Sequence, residues 1–178
     1  MASPNDTCKV KNESNPDGRT FTVTRAALEH SAVLRSLLED ASLLHQPASG
    51  EESVTIPIIL PTVSDETLDH IFTWASHWQD EFKLDADAAN KEIDFTHPAT
   101  INEWDRAFFE KLNGSTRRIN GQAMYELLVA TNYLDIRPLY RMAVGFVADA
   151  MEGLSPEELD RMIDHAQEEL DKLMDVDS

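Results

Sequence analysis

The 178-residue chain has a single cysteine, Cys8, and only 15 lysines and arginines against 33 aspartates and glutamates. It also lacks any apolar run approaching the roughly 20 residues that cross a bilayer. Each shortage excludes a class of function. One cysteine cannot close an intramolecular disulfide, which fits a reducing compartment, cytoplasmic or nuclear. A net charge of −18 leaves no basic surface for nucleic-acid phosphates. The same charge is repelled by anionic membrane surfaces. Residues 1–11 carry no apolar stretch of the kind a secretory leader needs. No GxSxG, GxxxxGK[ST] or GxGxxG occurs, so the common nucleophile and phosphate-cradling motifs are missing.

What is present describes a folded, acidic domain. Apolar residues make up 42%, too many for wholesale disorder. The acidity is uneven. Residues 114–153 carry four positive and four negative charges, whereas the stretches 61–113 and 154–178 are net −8 and −7.

Local patterns give an α+β order. Cys8, Val10 and Asn12 alternate with Lys9 and Lys11, and Phe21 and Val23 alternate with threonines, around the turn Asn15-Pro16-Asp17-Gly18. That predicts a hairpin, with Gly18 supplying a positive φ. Helices follow over 25–30 and 31–41, with Ser31 as an N-cap. Residues 53–59 suit a short strand that Pro57 confines to an edge or end. From Ser64, residues Leu68, Ile71, Phe72, Ala75 and Trp78 form one helical stripe. Residues 80–100 are polar and acidic and read as an exposed, poorly ordered linker. Helices over 101–111, 120–134 and 136–151 follow. Ser155-Pro156-Glu157-Glu158 is a capping box opening a last helix to about residue 174. Strands first and helices afterwards argue against alternating βαβ units.

Candidate chemistry is sparse. His70 and His77, seven residues apart with Glu66 before them, could face a metal, but no HExxH and no cysteine partner accompany them. Cys8 sits in an alternating strand and reads as a small apolar core residue. The expectation is no enzyme, no cofactor and no metal.

Several blocks in order resemble the S-phase kinase-associated protein one family, the adaptor subunits of SCF ubiquitin ligases. They are Asp17-Gly18 with Phe21 and Val23, Leu38-Glu39-Asp40, Leu60-Pro61 with Val63, and the set Leu68, Ile71, Trp74 and His77. Asn90-Lys91-Glu92, Trp104-Asp105 with Phe108, Glu126-Leu127-Leu128, Asn132-Tyr133-Leu134-Asp135-Ile136 and Pro156-Glu157-Glu158 complete them. The resemblance implies a BTB/POZ-type α+β fold with additional C-terminal helices. Residues 7–79 would be its N-terminal part, 80–100 a flexible acidic linker, and 101–174 the helical part that completes the fold and extends it for partners.

The family likeness also implies two protein partners. Asn132 and Tyr133 match positions that face a cullin scaffold. Met124, Tyr140, Val144, Val147 and Met151 match positions that face the F-box of a substrate receptor. Read from periodicity alone, those five residues are as well explained as core. Free in solution, such an adaptor would be a monomer or weak dimer. Two alternatives stay open: a self-associating BTB-type scaffold, and a paralogue that binds a cullin without F-box proteins. The chain departs from the family in two places. Residues 111–120 are longer than the usual link, and the Phe-Asn-Ile-like turn, the Asn-Asp-Phe motif and the final Trp-bearing helix are absent after Glu158.

Overall fold

The computed structural model describes residues 7–15, 17–44, 55–61, 63–80, 101–113, 121–152, 154–161 and 164. Strands β1 (Thr7–Asn12) and β2 (Thr20–Thr24) form the expected antiparallel hairpin, with Cys8 opposite Val23 and Val10 opposite Phe21. Alternation sends Cys8, Val10, Phe21 and Val23 into the core and leaves Thr7, Lys9, Thr20 and Thr22 outside. The turn does use Gly18, but for a different reason than a positive φ. Its backbone is not left-handed; a Cβ there would sit 2.8 Å from the Asn15 carbonyl oxygen. The Gly18 N–H donates to that same oxygen at 2.9 Å. Close approach, not handedness, requires the glycine.

The third strand, β3 (Thr55–Ile58), pairs parallel with β1, giving the sheet order β2-β1-β3. Pro57 thus lies on an edge strand among the described residues, facing solvent. Asn12 then fixes where the chain goes next. Its buried amide donates to the Leu60 carbonyl at 2.9 Å and its Oδ1 accepts from the Leu60 N–H at 3.0 Å. A polar group this deep is tolerated because it replaces backbone partners the strand end has lost.

Helices α1 (Arg25–Leu28) and α2 (Ala32–Leu44) begin at capping hydroxyls. Thr24 Oγ1 accepts from the Ala27 N–H, and Ser31 Oγ accepts from the Leu34 N–H. Helix α3 (Asp65–His77) is capped by Ser64, with Asp65 and Glu66 in its first turn where the dipole favours them. It buries Leu68, Ile71, Phe72, Trp74 and Ala75, while Trp78 is half-buried. Helices α4 (Glu103–Leu112), α5 (Gly121–Tyr133) and α6 (Arg137–Met151) pack against this first half. Their buried residues, from Phe108 to Ala143, belong to the same apolar cluster as those of the sheet and α3. Residues 156–161 are helical and open on the expected capping box: the Glu158 N–H donates to Ser155 Oγ, and the Ser155 N–H to Glu158 Oε2. Residues 81–100 of the predicted 80–100 linker, 114–120 of the longer 111–120 link and most of the last helix lie outside the described residues.

Candidate protein-binding surface

The run Asn132 to Ile136 is the end of one helix and the start of the next. Asp135 has φ 50°, the left-handed conformation that closes many helices. The Asp135 N–H donates to Asn132 O at 3.2 Å, and the Ile136 N–H to Thr131 O at 2.8 Å. These two bonds make a Schellman motif built on an aspartate. Asp135 Oδ1 accepts from Arg137 Nε at 2.9 Å, which anchors the strained residue to the first turn of α6. Leu134 and Ile136 point into the core. The Leu134 carbonyl accepts from Ser31 Oγ at 2.5 Å, joining the turn to the start of α2. With those groups held inward, Asn132 and Tyr133 face solvent, Tyr133 at 43% exposure. An exposed aromatic on a turn this constrained costs little further ordering when a partner covers it.

Helix α6 carries the second set. Leu139, Met142 and Ala143 are buried; Tyr140, Val144, Val147 and Met151 are half-buried. An apolar stripe left half-open, in a stretch without net charge, suits an amphipathic partner helix. Its energy would come from a few apolar anchors.

The helix opposite is pinned at its other end. Glu126, buried on α5, accepts from the Ser64 N–H at 3.0 Å, Ser64 Oγ at 2.6 Å and Thr67 Oγ1 at 2.8 Å through one oxygen. Its other oxygen accepts from Gln122 at 3.1 Å. Burial pushes the Glu126 carboxyl up, but the bonds from Ser64, Thr67 and Gln122 together hold it below its ordinary value. The carboxylate therefore caps α3 from another helix. Beside it, Ser64, Glu66, His70, Lys111 and Gln122 line a polar cavity of about 440 Å³.

The comparisons with known proteins bear on this arrangement. No protein-family model matches the chain. It is 29% identical to Suppressor of kinetochore protein 1 of Schizosaccharomyces pombe, over 80% of this chain and 77% of that protein. It is 31% identical to the E3 ubiquitin ligase complex SCF subunit sconC of Talaromyces stipitatus, over 80% of this chain and 76% of the relative. The same-named subunit of Emericella nidulans is 30% identical over similar spans. The chain belongs to the S-phase kinase-associated protein one family. Its small sheet followed by packed helices is that family's BTB/POZ-type α+β fold.

Set within the S-phase kinase-associated protein one family, the site residues divide. Asn132 and Tyr133 stand together on the turn, and Tyr140, Val144, Val147 and Met151 lie along α6. Met124 joins neither group. It is 2% exposed and lies in the core, so the surface position expected for it is corrected by the structure. One residue on, Tyr125 is 38% exposed. A step of one residue rotates a helix by about 100°, which is enough to exchange inside for outside. The family likeness assigns the outward position to Met124 by its offset from Asn132-Tyr133, and periodicity does not separate it from Tyr125, because both residues are compatible with a stripe.

The candidate metal residues have other employment. His77 stacks on Trp104, ring centroids 3.7 Å apart and 2° between planes. His70 meets the Phe108 ring edge-on at 6.1 Å. Among the described residues no group of three metal-ligating side chains converges. Cys8 is buried in β1 among apolar neighbours.

Proposed function

We propose that this chain is a non-catalytic adaptor of an SCF-type cullin ubiquitin ligase, bridging the cullin scaffold to F-box substrate receptors. The observation that carries the reading is its membership of a family whose relatives at 30–31% identity are named as SCF subunits. The geometry supports it by offering two separate surfaces. The α5–α6 turn presents Asn132 and Tyr133 for the cullin. The outer face of α6 presents Tyr140, Val144, Val147 and Met151 for the receptor. Such a protein accelerates transfer by holding substrate near the charged enzyme, a proximity effect that needs no catalytic group of its own. This role is consistent with a cytoplasmic or nuclear setting.

The test is co-purification of the chain with a cullin N-terminal domain and, separately, with an F-box segment. Asn132→Lys with Tyr133→Lys abolishes the first and spares the second. Val144→Asp with Val147→Asp does the reverse, in protein whose circular dichroism is unchanged. If the unaltered chain captures neither partner, the adaptor reading is wrong.

A further inference from the structure

The two halves of α6 are supported differently. Up to Ala143 the helix turns Leu139, Met142 and Ala143 into the core, and beyond Ala143 none of its residues is buried. What lies against the second half is α4 and the residues before it. Phe146 stacks on Phe109 with centroids 5.0 Å apart and 20° between planes. A Cβ on Gly145 would rest 3.8 Å from Ile101 Cδ1, an ordinary contact.

Helix α4 is in turn fastened to α3 at Asp105. That side chain is 1% exposed. Its Oδ1 accepts from Trp74 Nε1 at 3.1 Å and from Trp78 Nε1 at 3.0 Å. Its Oδ2 is buried with no hydrogen-bond donor among the described residues. Outside this contact, His77 stacks on Trp104 of the same two helices. An apolar side chain could fill the space without stranding a carboxylate oxygen, which is costly. What apolar packing would not supply is direction: two indole N–H groups converging on one oxygen set the rotation and height of α4 along α3.

The geometry points to Asp105 as a positioning residue for receptor binding. By clamping α4 to Trp74 and Trp78, it sets the shelf of Phe109 and Ile101. On that shelf the second half of α6 presents Val144, Val147 and Met151 to an F-box helix. The inference rests on the adaptor reading for the identity of that helix. The cullin-facing turn is held by Ser31 and the Asp135–Arg137 pair, neither of which bonds Asp105; its link to the clamp is indirect, through His30, whose ring meets the Trp78 carbonyl at 2.9 Å.

The experiment uses the full chain with Asp105→Ala, Asp105→Asn and Trp78→Phe. Amide hydrogen exchange is followed along α6, and affinity is measured for an F-box segment and for a cullin N-terminal domain. Under Asp105→Ala, exchange over residues 144–151 accelerates about tenfold while residues 137–143 keep their protection. F-box affinity falls about 3- to 10-fold and cullin affinity stays within about twofold. Trp78→Phe, which removes one donor and keeps an aromatic ring, gives the same pattern more weakly. Asp105→Asn, which keeps the acceptor oxygen, restores most of the binding. If Asp105→Ala does not fold, Trp78→Phe decides alone. Equal loss of both affinities, a uniform rise in exchange, or no change in either overturns the proposal. Failure of the unaltered chain to bind any F-box segment sinks the adaptor reading, while the exchange pattern still decides whether Asp105 holds the second half of α6.

Discussion

The α5–α6 turn and the second half of α6 are neighbours in sequence, and both offer apolar surface to solvent, yet they are held in opposite ways. The turn is fixed by short polar contacts from three sides: a Schellman pair of backbone bonds, the Asp135–Arg137 ion pair, and the Ser31 hydroxyl. The second half of α6 has no buried residue of its own and rests on apolar contacts alone, Phe146 stacked on Phe109 and Val147 packed against the core. Directional bonds keep Asn132 and Tyr133 in one arrangement before any partner arrives. Val144, Val147 and Met151 stay half-buried on this lighter support, which in the proposed adaptor suits a surface meeting receptors of different sequence. Rigidity on one side and adjustability on the other is a division of labour that a bridging protein can use.

Phe109→Ala breaks the comparison most severely. Phe109 is fully buried and is the ring beneath Phe146. Its truncation costs about 3–5 kcal/mol, read from urea unfolding. Amides over 144–151 lose protection before those of the turn. If the turn loosens equally early, the two regions are not held separately.

Glu126→Ala is the next largest. It takes the acceptor from the buried Thr67 hydroxyl and removes both bonds to Ser64 at the start of α3, at about 1–3 kcal/mol. The charge-neutral Glu126→Gln reads the pH dependence. The folded carboxyl lies below its ordinary value near 4.5, so its contribution is complete above that pH. It is lost as pH falls through the lowered folded value. The unaltered chain therefore destabilises more steeply below about pH 4.5 than Glu126→Gln does, a difference visible in melting temperatures across that range.

Asp135 gives a smaller effect with an informative sign. Asp135→Ala keeps the left-handed backbone and loses the Arg137 partner, costing about 1 kcal/mol. Asp135→Gly relieves the backbone while losing the same ion pair, and stays within about 0.5 kcal/mol of the parent. Equal losses for the two would mean that the ion pair, not the backbone, sets the turn.

Much of this was legible beforehand, and particular residues show where it stopped. Ser31 and Ser155 are read as caps because a cap is local: a hydroxyl and the N–H two or three residues on. Pro57 marks an edge because a missing N–H is a property of one residue. Glu126 left no such signal, since its partners Ser64 and Thr67 lie about 60 residues away and meet it only through the packing of α5 on α3. The parallel pairing of β3 with β1 is hidden for the same reason. At the candidate site, the expected Asn132 and Tyr133 stand exposed, whereas the expected Met124 is buried and Tyr125 is the one outside. Periodicity locates a stripe more reliably than its edge, and a partner-facing residue is by nature at the edge.

His70 offers the gentlest probe of how α4 sits on α3. It is half-buried on α3, edge-on to Phe108 of α4. Burial and the Lys111 ammonium of α4 lower its pKa below 6.5, while Glu66 and Asp69 of its own helix push it back up. The unfolded chain thus takes up the proton more readily. Neutral His70 contributes to stability above about pH 6.5, and that contribution is lost as pH falls through the folded value. Because the ring is partly solvated, the effect on stability is small, and the titration itself is the better readout. Followed by NMR of the imidazole carbons, the midpoint rises in Lys111→Gln and falls in Glu66→Gln. A midpoint that ignores Lys111→Gln would place the end of α4 too far from α3 to be sensed. In Trp78→Phe, where the clamp on α4 is weakened, the same midpoint drifts upward as Lys111 withdraws. One histidine would then report whether the shelf under α6 has moved.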